Sequence, residues 1–158
     1  MTMRHLRFPA VLVPSLMLVL ASCAAATPTP AASEAGGATT IDVTLQEWAV
    51  VPSQATAPAG EITFTVTNEG PDDIHEFVVM KTDLDPADLP TLEDGSVDEA
   101  GEGIEEVAGE IEDIAVGSSM DLPLTLDAGK YVLLCNIYDT AEDEAHYQEG
   151  MRIAFTVE

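Results

Sequence analysis

Ile41-Asp42-Val43-Thr44-Leu45 alternates apolar and polar side chains. The run from Glu61 to Thr67 does so more cleanly, placing Ile62, Phe64 and Val66 on one face. Pro58-Ala59-Gly60 before that run and Asn68-Glu69-Gly70-Pro71 after it are turn signals. His75–Lys81, Met120–Leu126, Tyr131–Asn136 and Met151–Val157 are further apolar runs of strand length. Asp127-Ala128-Gly129-Lys130 reads as a tight hairpin turn between the second and third of these. Short strands at this spacing predict an all-β fold, an antiparallel β-sandwich with Greek-key connections. The stretch 82–115 departs from the pattern, being acidic and broken by Pro86, Pro90, Gly95, Gly101, Gly103 and Gly109. It reads as a long surface excursion covering one edge of the sandwich. Within it Ile104, Val107, Ile111 and Ile114 recur at intervals of three and four, which predicts a short helix near Gly101–Ala108. Gly109 weakens that helix, and Ile111–Val116 alternatively reads as a strand.

The first residues carry a different signal. Arg4 and Arg7 precede an apolar run from Phe8 to Leu20, and Leu20-Ala21-Ser22-Cys23 closes it. A basic start, a short apolar stretch and small residues before a cleavage point mark residues 1–22 as a secretory signal. Leu-Ala-Ser-Cys also resembles a bacterial lipobox, which makes Cys23 the expected lipidation site. The protein is then extracytoplasmic, lipid-anchored to the bacterial cell membrane on its outer face or periplasmic side. Residues 23–39 are mostly Ala, Thr, Pro, Ser and Gly and read as a flexible tether. Residues 40–158 amount to one small domain.

Charge narrows the partners. The leader takes Arg4 and Arg7 with it, leaving Lys81, Lys130 and Arg152 against 29 carboxylates, a formal charge of −26. Nucleic-acid binding needs a basic footprint and is excluded on that ground. Anionic membrane surfaces repel such a domain, so lipid rather than charge must hold it there. A basic docking face on a partner would be attracted instead.

Material for chemistry is scarce. If Cys23 is lipidated, Cys135 has no disulfide partner, and a lone thiol in an oxidising compartment needs an occupant. His5 leaves with the leader, so His75 and His146 are the histidines of the mature chain. Cys135, His146 and Met151 follow a Cys-x10-His-x4-Met spacing, and His75 heads an apolar run. If Tyr131–Asn136 and Met151–Val157 pair as neighbouring strands, Cys135, His146 and Met151 meet at one end of the sandwich, within reach of His75. Two imidazoles, a thiolate and a weak axial thioether form the ligand pattern of a blue-copper electron-transfer centre. Zinc is the competing metal, with Asp139, Glu142 or Asp143 as a fourth ligand. With both histidines committed, no base remains for a nucleophile, and the chain is expected not to be an enzyme.

Asn68-Glu69-Gly70, His75-Glu76-Phe77-Val78-Val79, Gly129 to Asn136 and His146-Tyr147-Gln148-Glu149-Gly150-Met151 together resemble the cupredoxins, specifically the plastocyanin-like type. The likeness covers nearly all of 40–158. It implies a cupredoxin-like Greek-key β-sandwich, with His75, Cys135 and His146 as strong ligands of one type 1 copper ion and Met151 as the axial one. It also implies a monomer that passes single electrons to a redox partner protein. Three features depart from the family: Tyr138–Ala145 lengthens the Cys–His loop, Glu76 follows the first histidine where plastocyanin and azurin have asparagine, and the acidic excursion is large. A carboxylate at Glu76 would favour the oxidised metal. Two other roles fit the same sequence, a copper-delivery lipoprotein and a metal-free β-sandwich binding module.

Overall fold

A computed structural model of the chain describes residues 38–158. Residues 1–22, read above as a signal, Cys23 and nearly all of the stretch read as a tether lie outside the described residues. In chain order the elements are β1 (Thr39–Gln46), β2 (Ala49–Pro52), β3 (Thr56–Ala57), β4 (Gly60–Gly70), β5 (His75–Thr82), β6 (Ile104–Ile114), β7 (Ser119–Leu126), β8 (Gly129–Leu134), β9 (Tyr138–Asp139), β10 (Glu144–Ala145), the helical turn α1 (His146–Glu149) and β11 (Arg152–Val157). A four-stranded sheet in the order β2-β1-β4-β7 faces a five-stranded sheet in the order β3-β11-β8-β5-β6. The all-β sandwich read from the sequence is present.

The alternation in β4 does what its period requires. Ile62, Phe64 and Val66 are buried between the sheets, and Ile41, Val43 and Leu45 of β1 join them. Phe64 lies against Phe77 and Phe155 of the opposite sheet, with ring centroids 5.4 and 5.6 Å apart. β8 and β11 pair antiparallel with Arg152 opposite Leu134, the neighbouring arrangement on which the metal reading depended.

Three expectations are corrected. First, the sandwich is not wholly antiparallel: β1 runs parallel to β4 and β3 parallel to β11. Between β1 and β4 the chain crosses to the other sheet at β3 and returns, so β4 re-enters in the same direction as β1.

Second, Asp127–Lys130 is not a hairpin. β7 pairs with β4 while β8 pairs with β5 and β11, so the turn arches from one sheet to the other. The Tyr131 hydroxyl donates to Asp127 O at 2.9 Å and holds that arch.

Third, 82–115 contains no helix. Ile104–Ile114 is strand β6, paired antiparallel with β5. The register slips at three places, and each slip gives β6 one residue more than β5. Bulges of this kind break the two-residue period, so the apolar side chains, Ile111 and Ile114 in the core and Ile104 and Val107 against the second cluster, recur at spacings of three and four on an extended strand. Gly109 has a packing role rather than a helix-breaking one: a Cβ there would lie 2.7 Å from Leu124 Cδ2 of β7.

The remainder of the excursion, 83–103, covers the outer face of the five-stranded sheet. Leu89 and Val97 are buried with Val78, Met80, Val132, Leu134 and Tyr147 in a second apolar cluster. Burying side chains of this size contributes about 1.5–3 kcal/mol each. β5 is therefore apolar on both faces, which explains its nearly unbroken run Phe77-Val78-Val79-Met80.

Candidate metal centre

All four residues singled out by the sequence lie at strand ends on one pole. His75 opens β5, Cys135 follows β8, His146 opens α1, and Met151 sits between α1 and β11. Each is buried, with His75, Cys135 and Met151 at 0% exposure and His146 at 2%.

Backbone hydrogen bonds fix their spacing. Cys135 N–H donates to Met151 O at 3.0 Å, Met151 N–H to His146 O at 3.1 Å, and His146 N–H to Ile137 O at 2.9 Å. The turn before His75 is set by buried Asn68, whose Nδ2 donates to Asp73 O and Ile114 O, each at 2.8 Å. Its Oδ1 accepts from Gly70 N–H at 2.7 Å. At φ = +64° and with Val116 close by, Gly70 is the residue type this turn admits.

The donor atoms converge. His75 Nδ1 and His146 Nδ1 are 3.2 Å apart, and Cys135 Sγ is 3.4 Å from His146 Nδ1 and 3.9 Å from His75 Nδ1. A point equidistant from these three atoms lies about 2.0 Å from each, against metal–imidazole bonds of about 2.0–2.1 Å and metal–thiolate bonds of about 2.3 Å. Two imidazole nitrogens facing each other and a thiol at this spacing are what a bound cation needs, so the residues fit a copper ion. Among the described residues this is the one cluster of three such groups, and no carboxylate oxygen belongs to it. Asp139 Oδ1 instead accepts from Ala141 and Glu142 N–H, and Asp143 accepts from the Tyr138 hydroxyl. The carboxylates considered for zinc are thus engaged within their own loop or outside the cluster. Met151 shares the apolar core with Cys135.

Electrostatics prepare the donors for a metal. Burial, then neighbouring His146, holds His75 below its ordinary value against the opposing pull of Glu47 and Asp73. Burial lowers His146 against Asp73, Asp139 and Glu47. Both shifts favour the neutral ring, the state that ligates. Burial pushes the Cys135 thiol up to about 12 although Glu76 N–H donates to its sulfur at 3.3 Å. Metal binding must accordingly release the thiol proton. Cys135 is a free, buried cysteine.

Residues that sequence reasoning missed surround this triangle. Trp48 packs edge-on against His146 with centroids 4.9 Å apart and against His75 at 6.4 Å. Glu47 Oε1 stands 3.7 Å from His75 Nε2. Asn136 and Tyr147, each next to a candidate ligand, bind the 83–103 excursion: Asn136 Oδ1 accepts from Val97 N–H at 2.6 Å, and the Tyr147 hydroxyl donates to Pro86 O at 2.8 Å. Trp48 is the chain's single tryptophan, its one advance signal; nothing in the local pattern marks Glu47.

No family model matches the chain and no curated protein is similar to it in sequence. Solved structures are similar to it. Dithionite-reduced auracyanin from Roseiflexus castenholzii is 27% identical at a TM-score of 0.54, covering 78% of this chain and 99% of that one. Auracyanin A from Chloroflexus aurantiacus, described as a "blue" copper protein, is 18% identical at 0.51, covering 77% and 100%. Reduced rusticyanin is 19% identical at 0.51, covering 78% and 81%. This domain has the cupredoxin fold. Its His-Cys-His triangle is a type 1 copper-like site, and the cupredoxin scaffold explains why the donors meet where strands end.

Proposed function

We propose that this cupredoxin is a membrane-anchored type 1 copper protein that carries single electrons between partner proteins outside the cytoplasm. The observation that carries the reading is the buried triangle of His75 Nδ1, His146 Nδ1 and Cys135 Sγ, with edges of 3.2, 3.4 and 3.9 Å. Copper bound there supplies one-electron cycling. His75, His146 and Cys135 would hold it, with Met151 as the weak fourth donor.

The chain's own residues do the rest. The β5, β8 and β11 strand ends fix the donors, so little need move between redox states. Trp48 and the apolar core exclude water. Ile74 is exposed, and with Asp73, Ile137, Tyr138, Asp139 and Thr140 it lines a cavity that reaches His146. This is the short path between solvent and the site, and its two carboxylates suit a partner with a basic face. The buried donors favour carriage over delivery, because a metal passed between proteins needs ligands that can be exchanged at the surface. Both histidines of the described residues belong to the cluster, so a catalytic base would have to come from elsewhere. Anchoring rests on the lipobox-like Leu20-Ala21-Ser22-Cys23.

Reconstitution of the chain with Cu(II) should give intense visible thiolate-to-copper absorption, a blue-copper EPR signal and reversible one-electron cycling. Cys135→Ser should remove the absorption and leave the fold intact; an unchanged spectrum would rule out thiolate ligation. Tight Cu(I) uptake without colour would favour delivery. For the anchor, Cys23→Ala should move the protein from the detergent phase to the aqueous phase on phase partitioning. Equal partitioning of both forms would remove the lipid.

A further inference from the structure

Glu47 closes the turn after β1 and reaches across to the segment before β5. Its Oε1 accepts from Asp73 N–H at 2.8 Å and from Asp72 N–H at 3.2 Å. The same oxygen stands 3.7 Å from His75 Nε2, with the Glu47 side chain 10% exposed and that of His75 fully buried. Glu47 Oε2 and His75 Nε2 are buried atoms with no hydrogen-bond partner among the described residues. Each residue of the pair thus keeps one unsatisfied buried atom, and the Glu47 carboxylate is the acidic group standing beside His75 Nε2.

The chemistry of the site says what they are for. His75 Nδ1 faces His146 and Cys135, so its lone pair must be free for a metal and the ring proton must sit on Nε2. A buried N–H with no acceptor is costly. The present separation is about 0.5 Å beyond hydrogen-bond range, a gap that a small ring rotation closes. Carboxylates commonly hold metal-bound histidines in this way, fixing the tautomer and making the imidazole a stronger donor.

We propose that Glu47 is a positioning residue for His75, its carboxylate accepting the Nε2–H and holding Nδ1 toward Cys135 and His146. The inference rests on the copper reading above for its purpose, but the pair itself is testable without metal. Glu47 has a second task, bracing the Asp72–Asp73 turn, and the two are separable. Glu47→Gln keeps an oxygen for the two backbone N–H groups and removes the charge. Glu47→Ala removes both.

The test uses the full-length chain, 15N-labelled and copper-free, followed by the copper-loaded form. In the copper-free protein His75 should be the Nε2–H tautomer with a slowly exchanging ring proton. In Glu47→Gln that proton should shift and exchange at least about tenfold faster, as expected for a hydrogen bond that has lost its charged acceptor. In the loaded protein the same variant should move the one-electron equilibrium toward the reduced form by about tenfold, or ~59 mV. Glu47→Ala should in addition weaken copper binding; should it not fold, Glu47→Gln alone decides. A purely structural role predicts an unmoved potential and ring signal in Glu47→Gln, and that result would overturn the proposal, as would an Nδ1–H tautomer in the parent chain. If the parent takes up no copper, the functional reading fails, while the ring-proton measurement still decides the Glu47–His75 pair.

Discussion

Replacing Glu76 by glutamine should stabilise the copper-free protein, and only above mildly acidic pH. Glu76 is half-buried beside the metal centre, and its Oε1 accepts from Asn136 N–H at 3.1 Å. Burial raises its carboxyl from an ordinary 4.5 to about 7, helped by Glu99, Glu110 and Glu112 and opposed by that hydrogen bond. Below 4.5 the group is protonated whether the chain is folded or not. Between 4.5 and 7 the folded state keeps a proton that the unfolded state has released, so stability falls as pH rises, and the loss is complete above 7. A shift of this size corresponds to about 3 kcal/mol for a fully desolvated group. Solvent screening of a half-buried one brings it to about 1–2 kcal/mol. His75 and His146 act in the opposite sense: their lowered values make acidification below 6.5 destabilising. Because Glu76→Gln leaves both histidines and an acceptor for Asn136, the difference between variant and parent isolates Glu76. Urea denaturation at pH values from 4.5 to 8.5 should show that difference growing from pH 4.5 and levelling above 7. A difference that stays flat with pH would refute the reasoning.

Met151→Leu should keep the blue colour and raise the reduction potential, since it removes a weak donor at little cost in volume; loss of copper binding would show that the axial assignment is wrong. Tyr147→Phe deletes a hydroxyl that accepts from Leu89 N–H at 3.2 Å and donates to Pro86 O at 2.8 Å. It should cost about 1–3 kcal/mol in denaturation by leaving those two backbone groups unsatisfied, and unchanged stability would mean that the excursion is held without it. Association with a basic redox partner should weaken roughly tenfold as salt rises from low to about 0.5 M, through screening of a charge that is formally −24 over the full sequence. A flat salt response would confine that charge to a role in solubility.

Strands with unbroken alternation were readable in advance because one face of each is core and the other is not. β4, with Ile62, Phe64 and Val66, is the clearest case. The donor residues were readable for a different reason: scarcity. With two histidines and one cysteine among the described residues, their order along the chain left few ways to meet, and the β8–β11 pairing brings three of the four segments together. The misread elements share a cause, which is that local pattern does not encode partner choice. Asp127–Lys130 has hairpin chemistry whether the next strand joins the same sheet or the opposite one. The three bulges of β6 imitate a helical period because bulges shift side-chain parity. Glu47 was invisible since its role comes from a neighbour 28 positions away in sequence, His75.

Two of the three departures from a minimal cupredoxin, the lengthened Cys–His loop and the 83–103 excursion, support each other. A loop from Asn136 to Ala145 is short of apolar anchors, and each residue left loose gains about 1–2 kcal/mol of backbone freedom. Its ends carry the candidate ligands, so looseness there would blur the donor triangle. The excursion binds both ends. Asn136, next to Cys135, pairs with the Val97 backbone through two hydrogen bonds, at 2.6 and 3.1 Å, and with Glu99 through a third. Tyr147, next to His146, is held by Pro86 and Leu89, and Gln148 donates to Gly95 O at 3.1 Å. Arg152 closes the group, its guanidinium 4.6 Å from the Tyr147 ring centroid and bonded to Tyr147 O. The apolar cluster of Leu89 and Val97 with Val78, Met80, Val132 and Leu134 secures the excursion itself to the outer face of β5 and β8. The acidic insertion is therefore part of the framework that keeps Cys135 and His146 in place, and its carboxylates are the soluble outer side of a brace whose inner side is core.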